Sequence, residues 1–115
     1  MVYNRSRDVV LARDLEVARG FLARGRGLLG RDELPPGAAL LIAPCGSIHT
    51  LGMRFAIDVL FLAQPRSPAC CLAVARGVRP GRLGPAVRGA RAVLELPAGA
   101  AGPTTAGDEL VWERD

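Results

Sequence analysis

From Met53 to Phe61 the chain alternates, with Met53, Phe55, Ile57, Val59 and Phe61 on one side and Arg54, Ala56, Asp58 and Leu60 on the other. A period of two marks an extended strand, and beyond Asp58 both sides are apolar, as in a strand covered on both faces. One such strand commits the chain to a sheet with an interior. The neighbouring apolar runs, Ala38–Ala43 and Ala69–Ala75, are bounded by Pro35-Pro36-Gly37, Pro44-Cys45-Gly46 and Pro65–Pro68. Such punctuation fits short strands joined by turns.

Ile57–Ala63 and Ala69–Val78 are expected to form a hairpin with a four- or five-residue connection. Val9–Ala12, Ala92–Leu96 and Leu110–Trp112 are further strand candidates. Arg79–Gly89 is rich in Gly, Pro and Arg and is expected to be an irregular surface loop. Pro97–Gly107 is expected to hold at most one short helical turn. Asp14 to about Leu29 places Leu15, Ala18, Phe21, Leu22, Leu28 and Leu29 at spacings that fit one helical face, so one early helix is expected, with Asp14 near its N-cap and Gly30 as terminator. Five to seven strands and this helix give an α+β, mostly β fold, an antiparallel sandwich or partly open barrel.

With 115 residues and no linker or repeat, residues 1–115 are read as one domain. Aromatics make up only 4%, so the core has to be aliphatic. All 15 basic residues are arginine, which leaves a net charge of +4. No nucleic-acid module and no stacking aromatics accompany them, so no specific nucleic-acid partner is expected. The polar N-terminus leads into no apolar leader, and no apolar run approaches the roughly 20 residues that span a bilayer. A soluble, cytoplasmic protein with reduced thiols is expected. The lysine-free, Ala-, Gly- and Pro-rich composition fits a GC-rich genome.

Polar chemistry concentrates in one stretch. Cys45, His49 (the sole histidine), Thr50, Arg54 and Asp58 follow one another beside the apolar strand. Cys45, His49 and Asp58 offer a thiolate, a base and an orienting carboxylate, the logic of cysteine enzymes. Pro44 and Gly46 disfavour a helix that would bring the first two onto one face. Three cysteines and one histidine would supply a four-ligand zinc set, but Cys70 and Cys71 as strand neighbours face opposite ways. Cys45, His49 and Asp58 are a freer three-ligand alternative. No metal or cofactor is expected.

Arg54 and Asp58 in a continuous strand would lie ~13 Å apart, so each needs another partner. Arg54 suits an anionic ligand, whose oxygens a guanidinium fork matches. Asp58 suits acceptance of backbone N–H groups from the His49–Gly52 turn. Glu95, flanked by Leu94 and Leu96, points away from both: it is a surface charge if that side is solvent and meets Arg54 or His49 if that side closes on the turn.

Ile48-His49-Thr50-Leu51-Gly52-Met53-Arg54-Phe55-Ala56-Ile57-Asp58-Val59-Leu60-Phe61 resembles the prokaryotic domain family of unknown function DUF192. Gly27-Leu28-Leu29-Gly30-Arg31, Val93-Leu94-Glu95-Leu96-Pro97-Ala98-Gly99 and Gly107-Asp108 resemble three further stretches of that family, in the same order. Members often carry proline where this chain has Ala56, and a shorter turn in place of Pro65–Pro68. The resemblance implies a small, mostly β domain and brings no activity with it.

The residues therefore frame two readings. In the first, His49, Thr50, Arg54, Asp58 and Glu95 bind a small anionic ligand, or a protein partner, without catalysis. In the second, Cys45, His49 and Asp58 serve a hydrolytic or thiol- or metal-dependent enzyme.

Overall fold

In the computed structural model, residues 1–18, 31–49 and 53–113 are described. Ten strands follow one another: β1 Val2–Asn4, β2 Val9–Ala12, β3 Asp14–Ala18, β4 Ala38–Ile42, β5 Ser47–His49, β6 Ile57–Leu62, β7 Ala69–Val78, β8 Leu83–Ala86, β9 Ala92–Pro97 and β10 Glu109–Trp112. Eight form one sheet in the order β2-β1-β10-β7-β6-β9-β4-β3, and β5 pairs with β8 in a separate two-stranded arm. The described residues are thus mostly β and contain no helix.

The fully buried β6 is the spine, paired antiparallel to β7 on one side and to β9 on the other. Its pleat divides the interior. Leu60 and Leu62 join one apolar cluster, with Ala39 and Leu41 of β4, Leu94 and Leu96 of β9, and Leu110 of β10. Ile57, Val59 and Phe61 join a second, with Leu40, Ile42 and Val93. Burial on both sides explains why the strand reads as an unbroken apolar run.

The first cluster also holds Leu11 and Ala12 of β2, six places from β4 in the sheet. The two edge strands, β2 and β3, are separated in the chain by Arg13 alone. One run of backbone therefore serves both edges, and the sheet coils enough for that run to reach them. The second cluster is covered differently, by Leu34, Met53, Phe55, Cys45, Val87 and Ala90 from connecting segments.

Several expectations need correction. Asp14–Ala18, expected to begin a helix, is strand β3, paired in parallel with β4. Its Asp-Leu-Glu-Val sequence alternates outward and inward, a period of two that the wider helical spacing concealed. The rest of that expected helix, residues 19–30, lies outside the described residues. The central strand begins at Ile57 rather than Met53, although Met53 is buried and Phe55 half-buried against the second cluster.

Arg79–Gly89 is not wholly irregular, since β8 lies within it, paired with β5 across a register shift. In a two-stranded arm each strand has an open edge, which is where Pro85 is tolerated. Pro97–Gly107 forms successive tight turns: Ala100 N–H donates to Pro97 O (2.9 Å), Gly102 N–H to Gly99 O (3.2 Å) and Thr104 N–H to Ala101 O (3.1 Å). The expected hairpin is present as β6–β7, but its connection, 63–68, is longer than the four or five residues expected because β6 ends at Leu62.

Candidate functional site

Asp58 sits on β6 with the parity of Leu60 and Leu62, so it faces the first cluster. It is 1% exposed, and its carboxylate accepts from the N–H groups of Gly77 (2.8 Å), Gly99 (2.9 Å) and Ala101 (3.0 Å). The local sequence makes this possible. Across from Asp58 the β7 register gains a residue, and Gly77, at φ +57°, turns its N–H inward. On the other side Pro97-Ala98-Gly99 turns back, with Gly99 at φ +91°, and delivers two more donors. Asp58 is a structural acceptor joining β6, the β7 bulge and the turn after β9. Acceptance of backbone N–H bonds was the expected role, but these donors come from 77, 99 and 101.

Glu95 lies on the opposite side of the sheet. It registers with Leu40 and Val59, both of the second cluster, and is 4% exposed. Among the described residues, its Oε1 has no hydrogen-bond partner. Burial pushes the Glu95 carboxyl up to about 7, and the positive charge of Arg31 offsets part of that rise. A carboxyl in this state exchanges acceptor for donor character near neutral pH.

Two arginines lie on the segments that cover this side. Arg31 donates to Glu16 of β3 (2.9 Å), and Arg54 to Asp32 (2.6 Å). Both pairs are well exposed, with side-chain exposures of 42% and 59% for the first and 63% and 84% for the second. Such pairs are weak and are readily exchanged for a better oxyanion partner.

Cys45 belongs with the second cluster, half-buried, and its thiol donates to Ser47 O (2.9 Å). The sheet therefore does not bring Cys45 and Asp58 together: they belong to opposite faces, and the Asp58 oxygens are held by backbone donors. His49 ends β5 opposite Leu83, and Thr50 lies outside the described residues. Arg54 and Asp58 each have separate partners, which resolves their separation along the chain.

The other cysteines offer no shared site with Cys45. Cys71 is wholly buried in the first cluster, where desolvation raises its thiol to about 11, whereas Cys70 is exposed. Among the described residues, no three His, Cys, Asp or Glu side chains are placed to hold a metal ion.

Sequence reasoning missed one polar cluster. Asp108, 5% exposed, accepts from Asn4 Nδ2 (3.0 Å), Arg7 Nε (3.0 Å) and Thr105 N–H (3.0 Å), while Asn4 Nδ2 also reaches Thr104 Oγ1 (2.9 Å). The Asn4 amide, with help from Arg7 and Thr105, holds the Asp108 carboxyl below the usual carboxylate range. About a hundred residues separate the partners, and no local pattern announces such a contact. Its geometry is that of a brace fastening the first turn to the last strand.

A mostly β fold built on one coiled sheet, with an aspartate anchoring its turns, defines the class. The chain belongs to the DUF192 family (Uncharacterized ACR), whose model matches residues 2–112. Among solved structures it is similar to a protein of unknown function from Novosphingobium aromaticivorans, with TM-score 0.72 and 22% identity over 85% of this chain and 74% of that one. It is also similar to a protein from Sinorhizobium meliloti named a "putative transcription regulator", with TM-score 0.72 and 23% identity over 84% and 78% of the two chains. At these identities the likeness shows the fold. No curated protein matches the chain. Among the described residues, no helix is long and apolar enough to cross a membrane.

Proposed function

We propose that this is a non-catalytic domain that binds a small oxyanion on the second face of the sheet, with Glu95 at its base and Arg31 and Arg54 at its rim. The observation that carries the reading is the buried Glu95 oxygen without a hydrogen-bond partner, since buried polar groups are otherwise satisfied. A ligand oxygen accepting from neutral Glu95 would supply that partner, and the two guanidiniums would supply charge. Of the two architectures expected, the partly open barrel suits the two edge strands joined through Arg13, with Glu95 on its outer face beneath connecting segments. The catalytic reading through Cys45, His49 and Asp58 has less support, because the Asp58 oxygens are already engaged.

The sign of the pH effect follows from the donor role. Neutral Glu95 prevails below about 7 and can donate to an anion, whereas ionised Glu95 repels it. The test is to titrate acetate, pyruvate and phosphate into the protein while following the Glu95 side-chain carboxyl by NMR. At pH 6 at least one anion should shift that signal saturably and raise the melting temperature, and at pH 8 the effect should be weaker. Glu95→Gln, permanently neutral and a donor, should bind equally at both pH values. No saturable shift with any of the three at pH 6 would refute the proposal.

A further inference from the structure

A depression opens beside the first strand of the β5–β8 arm, with a volume of ≈ 530 Å³, large enough for a small molecule. Pro44, Cys45, Gly46, Pro65, Arg66 and Arg91 line it, together with Ala90. Its walls are tied by backbone. Cys45 N–H donates to Arg91 O (2.9 Å), Arg91 N–H to Leu62 O (2.9 Å) and Val87 N–H to Gly46 O (3.0 Å). At Gly46 the walls come so close that a Cβ would stand 2.8 Å from Ala90 O, so glycine is required there. The floor is thus held in shape whether or not the depression is filled.

Its charge has one sign. Arg66 and Arg91 are exposed, and among the described residues no acidic residue lines the depression and neither guanidinium has an acidic partner. This sets them apart from Arg5, Arg7, Arg31 and Arg54, each of which meets a carboxylate. Two unengaged guanidinium forks over a fixed floor match the oxygens of a phosphate or carboxylate.

We infer that this depression is a second oxyanion site, formed by Arg66 and Arg91 beside Cys45 and independent of Glu95. An anion held there is a neighbour of Cys45, which lines the same depression, so occupancy can be read from the rate at which that cysteine is alkylated. It would block the approach of a reagent to Cys45.

The experiment measures the alkylation rate of Cys45 by iodoacetamide, resolved by peptide mass spectrometry, with exposed Cys70 as internal control. Inorganic phosphate and citrate are titrated separately against chloride at matched ionic strength. The expected result is saturable slowing at Cys45 by at least about threefold, corresponding to two-thirds occupancy, with Cys70 unchanged. Slowing by phosphate alone or by citrate alone identifies which oxyanion is taken. Arg66→Gln and Arg91→Gln, both at exposed positions, should each reduce the slowing, and the double variant should abolish it. Glu95→Gln should leave it intact, which separates this site from the first. Equal slowing by chloride, equal slowing of Cys70, or slowing that survives in the double variant would overturn the inference.

Discussion

Asp58 and Glu95 are the two buried carboxyls of the central strands, on opposite faces of the same sheet, and they have opposite fates. Asp58 accepts three backbone N–H groups and is spent on holding the β7 bulge and the turn after β9 in place. Glu95 is almost as deeply buried, yet its Oε1 has no partner among the described residues. The difference lies in what covers each face. Around Asp58 the strand bulge and the glycine turn aim donors inward, whereas on the side of Glu95 the described residues that pack on the second cluster, Leu34, Met53 and Phe55, are apolar. Equal burial therefore means stability on one side and a reserve of hydrogen-bonding capacity on the other.

The strongest way to break this comparison is at the anchor. Asp58→Ala strands three inward-facing donors at roughly 1–3 kcal/mol each, not fully additive, so a loss of about 4 kcal/mol is expected in urea unfolding. A loss below about 1 kcal/mol would mean that the turns hold themselves.

Glu95 comes next, with the opposite sign. Its folded value of about 7 lies above the ordinary 4.5, so the folded state binds the proton more tightly than the unfolded state. The resulting stability is fully present below about 4.5 and is lost as pH rises through about 7. From acid to alkaline pH the loss amounts to about 3 kcal/mol at most. Glu95→Gln should remove that slope, which denaturation at pH 5 and pH 8 would reveal.

Asp108 behaves in the reverse sense. Held down by Asn4 and Arg7, it stabilises the fold above the ordinary carboxylate range, and this contribution fades as pH falls through its lowered value. Asp108→Asn should cost about 1–2 kcal/mol at pH 7, and less in acid. Arg54→Ala should change stability by no more than about 0.5 kcal/mol, since its pair with Asp32 is exposed, while weakening anion binding if the rim acts as proposed. A larger stability change would make Arg54 part of the frame instead.

Much of the sheet was legible in local pattern. The β6–β7 hairpin, β2, β4, β9 and β10 announce themselves by apolar runs and by turns at Pro and Gly. Strands β1, β5 and β8 did not. Val2–Asn4 is short and sits beside polar residues, and its place comes from pairing with β10 at the far end of the chain. Leu83–Ala86 contains a glycine and a proline and is a strand only because β5 lies beside it. All of β3 fell inside the expected helix because its few residues satisfy both a helical and a strand period.

The site was legible only in part. Glu95, Arg54 and Cys45 were recognisable as chemistry-bearing residues, and Glu95 and Cys45 belong with the second face, while Arg54 is exposed and paired with Asp32. Asp58 belongs elsewhere because the pleat of β6 turns it to the other side. Sequence spacing could not foresee that Gly77 and Gly99 would converge on it, since they lie 19 and 41 residues away. Arg66 and Arg91 carry no local signature and become a pair only through the hairpin that brings 65–66 beside 90–91.

The contrast between a committed and an available carboxyl is tested most directly by titrating the Glu95 side-chain carboxyl by carbon NMR. A midpoint near 7, moving when an oxyanion is added, is the result expected of a desolvated group with an open valence. A midpoint near 4.5, indifferent to every anion tried, would mean that Glu95 is already satisfied and that the two faces do not differ in this way.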